Sequence, residues 1–148
     1  MGGGGVTVED VGAMVEATVA LPGCTAERAL SAFTDPALVA MWWGRGTLTT
    51  DLAPGGPYTV EFAALGHTMA GRVVNYDPAG FLEFTWGWAH EPDGLPGTVA
   101  ITVTDGEPVT LALRHGPHGD SAAERASRAE HRAGWEYFLP RLATALCG

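Results

Sequence analysis

Short runs of alternating apolar and polar residues fill most of the chain, and the period changes only near its end. Alternation puts successive side chains on opposite faces of a strand. Met14 to Leu21 (MVEATVAL) predicts a first strand. Six more follow at Thr47–Leu52, Tyr58–Ala63, His67–Tyr76, Phe81–Trp88, Thr98–Thr104 and Val109–His115. Turn residues separate them, notably Ala53-Pro54-Gly55-Gly56, Asp77-Pro78-Ala79-Gly80, a loop with Pro92, Asp93, Gly94, Pro96 and Gly97, and Asp105-Gly106, which reads as a hairpin turn. Two short helices are expected after the first strand. Thr25 can cap one from Ala26 to about Phe33. Asp35 can cap another, with Pro36 in its first turn, that reaches Trp43 and stops at Gly44 and Gly46.

After Ser121 the period lengthens to that of a helix. Ser121 and Glu124 have capping-box spacing, and Trp135, Phe138, Leu139, Leu142 and Leu146 fall on one helical face. Pro140 should kink that helix or divide it, because proline lacks the N–H its turn requires. The order of elements predicts an α+β fold: an antiparallel meander of about six or seven strands whose concave face receives the long final helix. Residues 13–148 read as one domain, and the Gly-rich stretch 1–12 as a flexible leader.

Parity assigns the inward residues. Leu82, Phe84, Trp86 and Trp88 oppose Glu83, Thr85 and Gly87. Tyr58, Val60 and Phe62 should also point in, as should Val99, Ile101, Val103 and the series Val109, Leu111, Leu113, His115. The run His67–Tyr76 is ambiguous, with Met69, Gly71 and Val73 the favoured inward set. Arg72 and Glu83 are expected outside, as a solvated cross-strand pair.

Composition narrows the function. Charged residues are only 17% of the chain while hydrophobic ones are 46%, which suggests an interior larger than packing alone requires. The net charge of −9 argues against nucleic acid and against an anionic membrane surface. No apolar run approaches a membrane span, and no secretory signal is visible, so a cytoplasmic protein is expected. Cys24 and Cys147 read as two free thiols. All eight basic residues are Arg, and with abundant Ala and Gly this looks like the coding bias of a high-GC bacterium.

Several segments together resemble a known family. Phe33-Thr34-Asp35-Pro36-Ala37-Leu38 with Trp42-Trp43-Gly44, then Gly71-Arg72-Val73, Asp77-Pro78 and Leu82-Glu83-Phe84-Thr85-Trp86, and finally Gly134-Trp135-Glu136-Tyr137-Phe138-Leu139 with Arg141-Leu142, are similar to the C-terminal domain of the heat-shock-protein ATPase activator. That family lies in the START-like (SRPBCC) superfamily. The resemblance spans about Met14 to Leu146 and implies a helix-grip fold with a cavity between sheet and helix. It implies no single reaction, since the superfamily contains both carriers and cyclases. Pro140 departs from the family, which usually has a polar or charged residue there.

The cavity wall is expected from Trp42 on the second helix, from Tyr58, Phe62, Met69, Phe84, Trp86 and Trp88 on the middle strands, from Leu113 and His115 on the last strand, and from His131, Trp135 and Phe138 on the long helix. No nucleophile motif or phosphate loop is present, so no catalytic residue is assigned. A zinc site from His115, His118 and His131 is conceivable, but neither carboxylate nor cysteine joins them at ligand spacing, and no metal or cofactor is expected. His115 and His131 read instead as polar points that orient a ligand, with a satisfied core histidine the competing reading for His115. The leading expectation is a monomer or homodimer that carries or sequesters a bulky hydrophobic or aromatic molecule, such as a bacterium's own toxic metabolite. The alternatives are a polyketide cyclase or dehydratase using the cavity histidines, and a chaperone-interacting module.

Overall fold

The computed structural model describes residues 5–91 and 97–147. Residues 92–96 of the expected Pro/Gly loop, the first four residues and the side chain of Cys147 lie outside the described set. Eight strands form one antiparallel sheet: β1 (Val6–Val11), β2 (Met14–Leu21), β3 (Gly46–Thr50), β4 (Pro57–Phe62), β5 (His67–Asp77), β6 (Phe81–Trp86), β7 (Gly97–Thr104) and β8 (Val109–Gly116). Their spatial order is β1-β2-β8-β7-β6-β5-β4-β3. Helices α1 (Ala26–Thr34) and α2 (Pro36–Trp42) carry the chain from β2 to the far edge, and the meander returns until β8 pairs with β2. Helix α3 (Ala122–Cys147) packs across β1, β2 and α2. This is the expected helix-grip arrangement, with one strand more than the pattern predicted.

The extra strand is β1, inside the stretch 1–12 that the sequence presents as a leader. Val6 and Val8 pack against the core as partly buried residues, and β1 pairs with β2 from Val6↔Val19 to Val11↔Met14. Glu9 and Asp10 mask the alternation, but an edge strand with one solvated face tolerates them. The caps form as predicted. Thr25 Oγ1 accepts from the Arg28 amide at 3.1 Å, and Asp35 Oδ1 accepts from the Ala37 amide at 2.9 Å. Ser121 Oγ accepts from the Glu124 amide, while the Glu124 carboxylate accepts from Ser121 Oγ and from the Gly119 amide. Pro140 does not divide α3, which runs 26 residues without interruption. The proline is exposed, so its ring displaces nothing in the core.

The inward residues follow parity. Tyr58, Val60, Leu82, Phe84, Val99, Ile101 and Leu111 are wholly buried. The ambiguous β5 has a physical cause. Its pairing with β6 shifts between Val73 and Asn75, so Val74 is extruded and exposed and the inward set passes from Met69 and Val73 to Tyr76. The shift sets Asn75 opposite Glu83, and Arg72 donates to the Gly55 carbonyl at 3.0 Å rather than pairing with Glu83. At Gly71 the two strands approach so closely that a Cβ would overlap the Thr85 carbonyl oxygen. Strand β6 ends at Trp86, two residues short of expectation, and Trp88 contributes only an isolated bridge to Met69. The β7–β8 connection occupies 105–108, the interval the expected strands leave. Cys24 is a free thiol, partly buried against the core.

Two buried side-chain bonds tie the short helices to their surroundings. Tyr58 Oη donates to the Phe33 carbonyl at 2.6 Å, and Trp42 Nε1 donates to the Ala32 carbonyl at 2.8 Å. Burial holds the Tyr58 phenol well above its ordinary pKa, so it remains a donor.

Candidate functional site

A cavity of about 680 Å³ opens between α2, the β4–β6 end of the sheet and the middle of α3. Its position follows from side-chain size along α3. Leu139, Leu142 and Ala143 fill the space over the sheet at one end of the helix. One to two turns earlier stand Ala133 and Gly134, which leave room.

Aromatic rings make the wall. Trp43 stands at the centre: it stacks on Trp42 at 4.9 Å and meets Phe62 at 5.3 Å, Trp135 at 5.6 Å and Trp86 at 6.0 Å. Trp88 completes the wall edge-on to Trp86 at 5.4 Å. Trp43 was not singled out from the sequence. Two adjacent tryptophans cannot share one face of a helix, but Trp43 is the C-cap of α2, with non-helical φ −108° and ψ 72°, and that turn sends its ring inward beside Trp42. The adjoining Gly44 (φ +62°) and Arg45 (φ +52°) complete the reversal. The pair Trp42-Trp43 immediately before Gly44 was the available signal.

Exposed apolar residues gather at the cavity mouth. Met41, Leu65 and Tyr137 are 60%, 45% and 54% exposed, and all three line the opening. Arg141 lies 3.6 Å from the centre of the Tyr137 ring and donates to the Tyr137 carbonyl, so it holds that ring at the rim.

Of the twelve expected wall residues, eight line this cavity: Trp42, Phe62, Trp86, Trp88, His115, His131, Trp135 and Phe138. Tyr58, Met69, Phe84 and Leu113 do not. They point inward as parity requires, but lie in the packed core away from the opening, with Tyr58 stacked on Phe84 at 3.9 Å. Parity identifies the face of a strand but not how far along it the overlying helix leaves a gap.

Histidines supply the polar part of the wall. His115 extends the inward series of β8, and His131 lies one turn before Trp135 on α3. Their rings stack at 4.1 Å. Trp135 Nε1 donates to His115 Nδ1 at 3.0 Å. At Gly116, the last residue of β8, the chain passes close to the β1–β2 turn, where a Cβ would press on Met14 and the Ala13 carbonyl. There His118 Nδ1 meets the Ala13 carbonyl at 3.2 Å and His118 Nε2 meets His131 Nδ1 at 3.0 Å. A carbonyl only accepts, so the proton of His118 is on Nδ1. Its Nε2 therefore accepts from His131 Nδ1, and His131 Nε2 retains a bare lone pair. That atom and the Trp86 indole nitrogen are buried without a partner.

All three imidazoles are held neutral. Burial is the main cause at each: it pushes His115 well below the ordinary value, His131 down to about 4 and His118 down by less. Neighbouring histidines act in the same direction on His115 and His131. A smaller second cavity is lined by Trp86, Trp88, His115, His118, His131 and Glu124, so the histidines separate two hollows. Chemically the site offers a broad aromatic surface and neutral imidazoles that donate and accept, with Glu130 the one acidic residue on its lining among the described residues.

The family model described as activator of Hsp90 ATPase homolog 1-like protein matches residues 24–147. No curated protein matches the chain. Solved structures share its fold. DynU16, a protein in the dynemicin biosynthetic locus, is 29% identical with a TM-score of 0.72; the match covers 88% of this chain and 46% of DynU16, so this chain spans about half the length of that relative. MLL2253 from Mesorhizobium loti is 21% identical with a TM-score of 0.69, covering 96% of this chain and 95% of its own. CalU16 from Micromonospora echinospora is 19% identical with a TM-score of 0.68, covering 95% of this chain and 80% of its own. The likeness to the last two is one of fold.

Proposed function

Because this chain belongs to the activator of Hsp90 ATPase homolog 1-like family of the START-like superfamily, we propose that it binds a bulky hydrophobic or aromatic small molecule beneath α3 and carries or sequesters it in the cytoplasm. The observation that carries this reading is the aromatic cavity itself. About 680 Å³ lies within the range of small-molecule sites, and its wall is mostly indole and phenyl surface with a few polar atoms at one side. A core built only for stability would close such a space, since unfilled volume costs stability. The relative in the dynemicin biosynthetic locus is consistent with a metabolite of secondary metabolism as the ligand; self-resistance by sequestration is the purpose this reading assigns.

No helix among the described residues is long and apolar enough to cross a membrane. The net charge of −9 also disfavours an anionic bilayer or a nucleic acid as partner. The test is a titration of tryptophan fluorescence with a fused-ring aromatic such as 1,8-dihydroxyanthraquinone. Saturable quenching at one molecule per chain, with a rise in melting temperature, supports the reading.

A second reading is favoured by one observation. His131 presents a bare, neutral Nε2 beside the cavity and is linked through His118 to the Ala13 carbonyl. A neutral imidazole so placed can take a proton from a bound substrate, as a cyclase or dehydratase requires. Product analysis after incubation distinguishes the two readings.

A further inference from the structure

We propose that His115, His118 and His131 form a binding site for one divalent first-row transition metal ion, zinc above all, at the partition between the two cavities. One ring nitrogen from each histidine lies within 4.8 Å of the others. His118 Nε2 and His131 Nδ1 are already 3.0 Å apart. Two nitrogens on a tetrahedral zinc ion, each at its usual bond length, stand about 3.3 Å apart. The cluster therefore closes on an ion with small side-chain movements and no change of backbone.

The supports are those of a metal site. His118 donates its Nδ1 proton to the Ala13 carbonyl. That outer bond fixes the ring and turns the Nε2 lone pair toward the other two histidines, as backbone carbonyls do for metal-bound imidazoles. The three ligands come from the end of β8, the segment after it and the overlying α3. An ion would thus pin the long helix to the sheet next to the cavity. Imidazole nitrogens suit zinc, copper and nickel, and exclude magnesium and calcium, which require oxygen.

Proton positions follow directly. In the metal-free protein one proton lies between His118 Nε2 and His131 Nδ1. On binding, both nitrogens turn their lone pairs to the ion and His131 carries its proton on Nε2, which has no partner in the metal-free state. His115 now accepts at Nδ1 from Trp135 Nε1. If Nδ1 binds the ion, its lone pair is taken. If Nε2 binds, Nδ1 carries the proton. In either case the Trp135 indole N–H loses its acceptor, so metal occupancy is reported by a residue of the cavity wall. Three protein ligands leave a fourth position, and because His115 and His131 line both cavities, it is open to water or to an oxygen donor on a cavity occupant.

The site stands apart from the ligand reading, and its test needs no organic ligand. The purified chain, stripped with chelator, is titrated with zinc by calorimetry and with cobalt(II) by visible absorption, and the tryptophan indole resonances are followed by ¹H–¹⁵N spectra. The expected result is one ion per chain, cobalt ligand-field bands of tetrahedral intensity and displacement of the Trp135 indole signal by zinc. His118→Ala, outside the hydrophobic core, and His131→Ala should each weaken binding by about a hundredfold or more, with the folded spectrum of the unloaded protein retained. Absence of saturable binding below millimolar metal overturns the proposal. So does binding that survives both substitutions, or that leaves the Trp135 indole signal in place.

Discussion

Replacing Trp135 with Phe isolates the bond that joins helix to sheet at the site. The indole is 3% exposed and His115 1% exposed, so both partners of the 3.0 Å bond are withdrawn from bulk solvent. An unpaired buried acceptor costs about 1–3 kcal/mol. Loss of the pyrrole edge, which packs near Trp43 and Trp86, adds about 1 kcal/mol at roughly 24 cal/mol per Å³ of residual cavity. Trp135→Phe should therefore lose about 2–4 kcal/mol in urea unfolding with an unchanged m-value. That is survivable for a domain stable by about 5–15 kcal/mol. In a His115→Leu background the acceptor is gone, and the same change should cost only the cavity component. A double-mutant cycle thus yields a coupling of at least about 1 kcal/mol. A cost under about 0.5 kcal/mol for the single change, with no coupling, would refute the hydrogen bond and the helix placement derived from it.

Three further outcomes follow from the same structure. Gly71→Ala should cost more than about 2 kcal/mol or yield insoluble protein, because the new Cβ meets the backbone oxygen of Thr85 rather than a movable side chain; denaturant melts of the soluble fraction check it. Ser121→Ala should cost about 1 kcal/mol by loss of the α3 cap and leave cavity binding unchanged, as measured by the same melts and by fluorescence titration. His131 has a folded pKa near 4 against an ordinary 6.5, so the unfolded chain binds the extra proton between those values and stability falls as pH drops through that window. With chelator present, denaturant unfolding should be weaker by about 2 kcal/mol at pH 5 than at pH 7.5 through this group alone, and His131→Gln should remove that part of the slope.

Where local chemistry decides structure, the sequence was legible. Thr25, Asp35 and Ser121 cap helices because their side-chain oxygens reach amides three or two residues on, and that is a short-range matter. The inward faces of β4, β6, β7 and β8 follow from parity because each has one face against the core. Parity fails in β5 at Val74, where one extruded residue reverses it, and sequence alone carries no mark of that insertion. Strand β1 was hidden by its acidic residues and Gly-rich approach, although Val6 and Val8 alternate correctly.

The site was legible by face rather than by depth. Eight of the expected residues line the cavity, yet Tyr58, Met69, Phe84 and Leu113 share their faces without reaching it; Ala133 and Gly134 on α3 stand at its lining. The meeting of His118 with His131 depends on Gly116 bringing the chain against the β1–β2 turn, a contact between residues over a hundred positions apart. Spacing along the chain could not supply it.

The most direct test of the central claim is a titration of the protein with 1,8-dihydroxyanthraquinone, read by tryptophan quenching and followed by mass spectrometry of the recovered molecule. The account predicts saturation at one molecule per chain, weakening by about 1–3 kcal/mol in both His115→Gln and His131→Gln, and recovery of the aromatic unchanged. Emission indifferent to every fused-ring aromatic tried, or a product formed repeatedly per protein molecule and lost in either histidine variant, would contradict it.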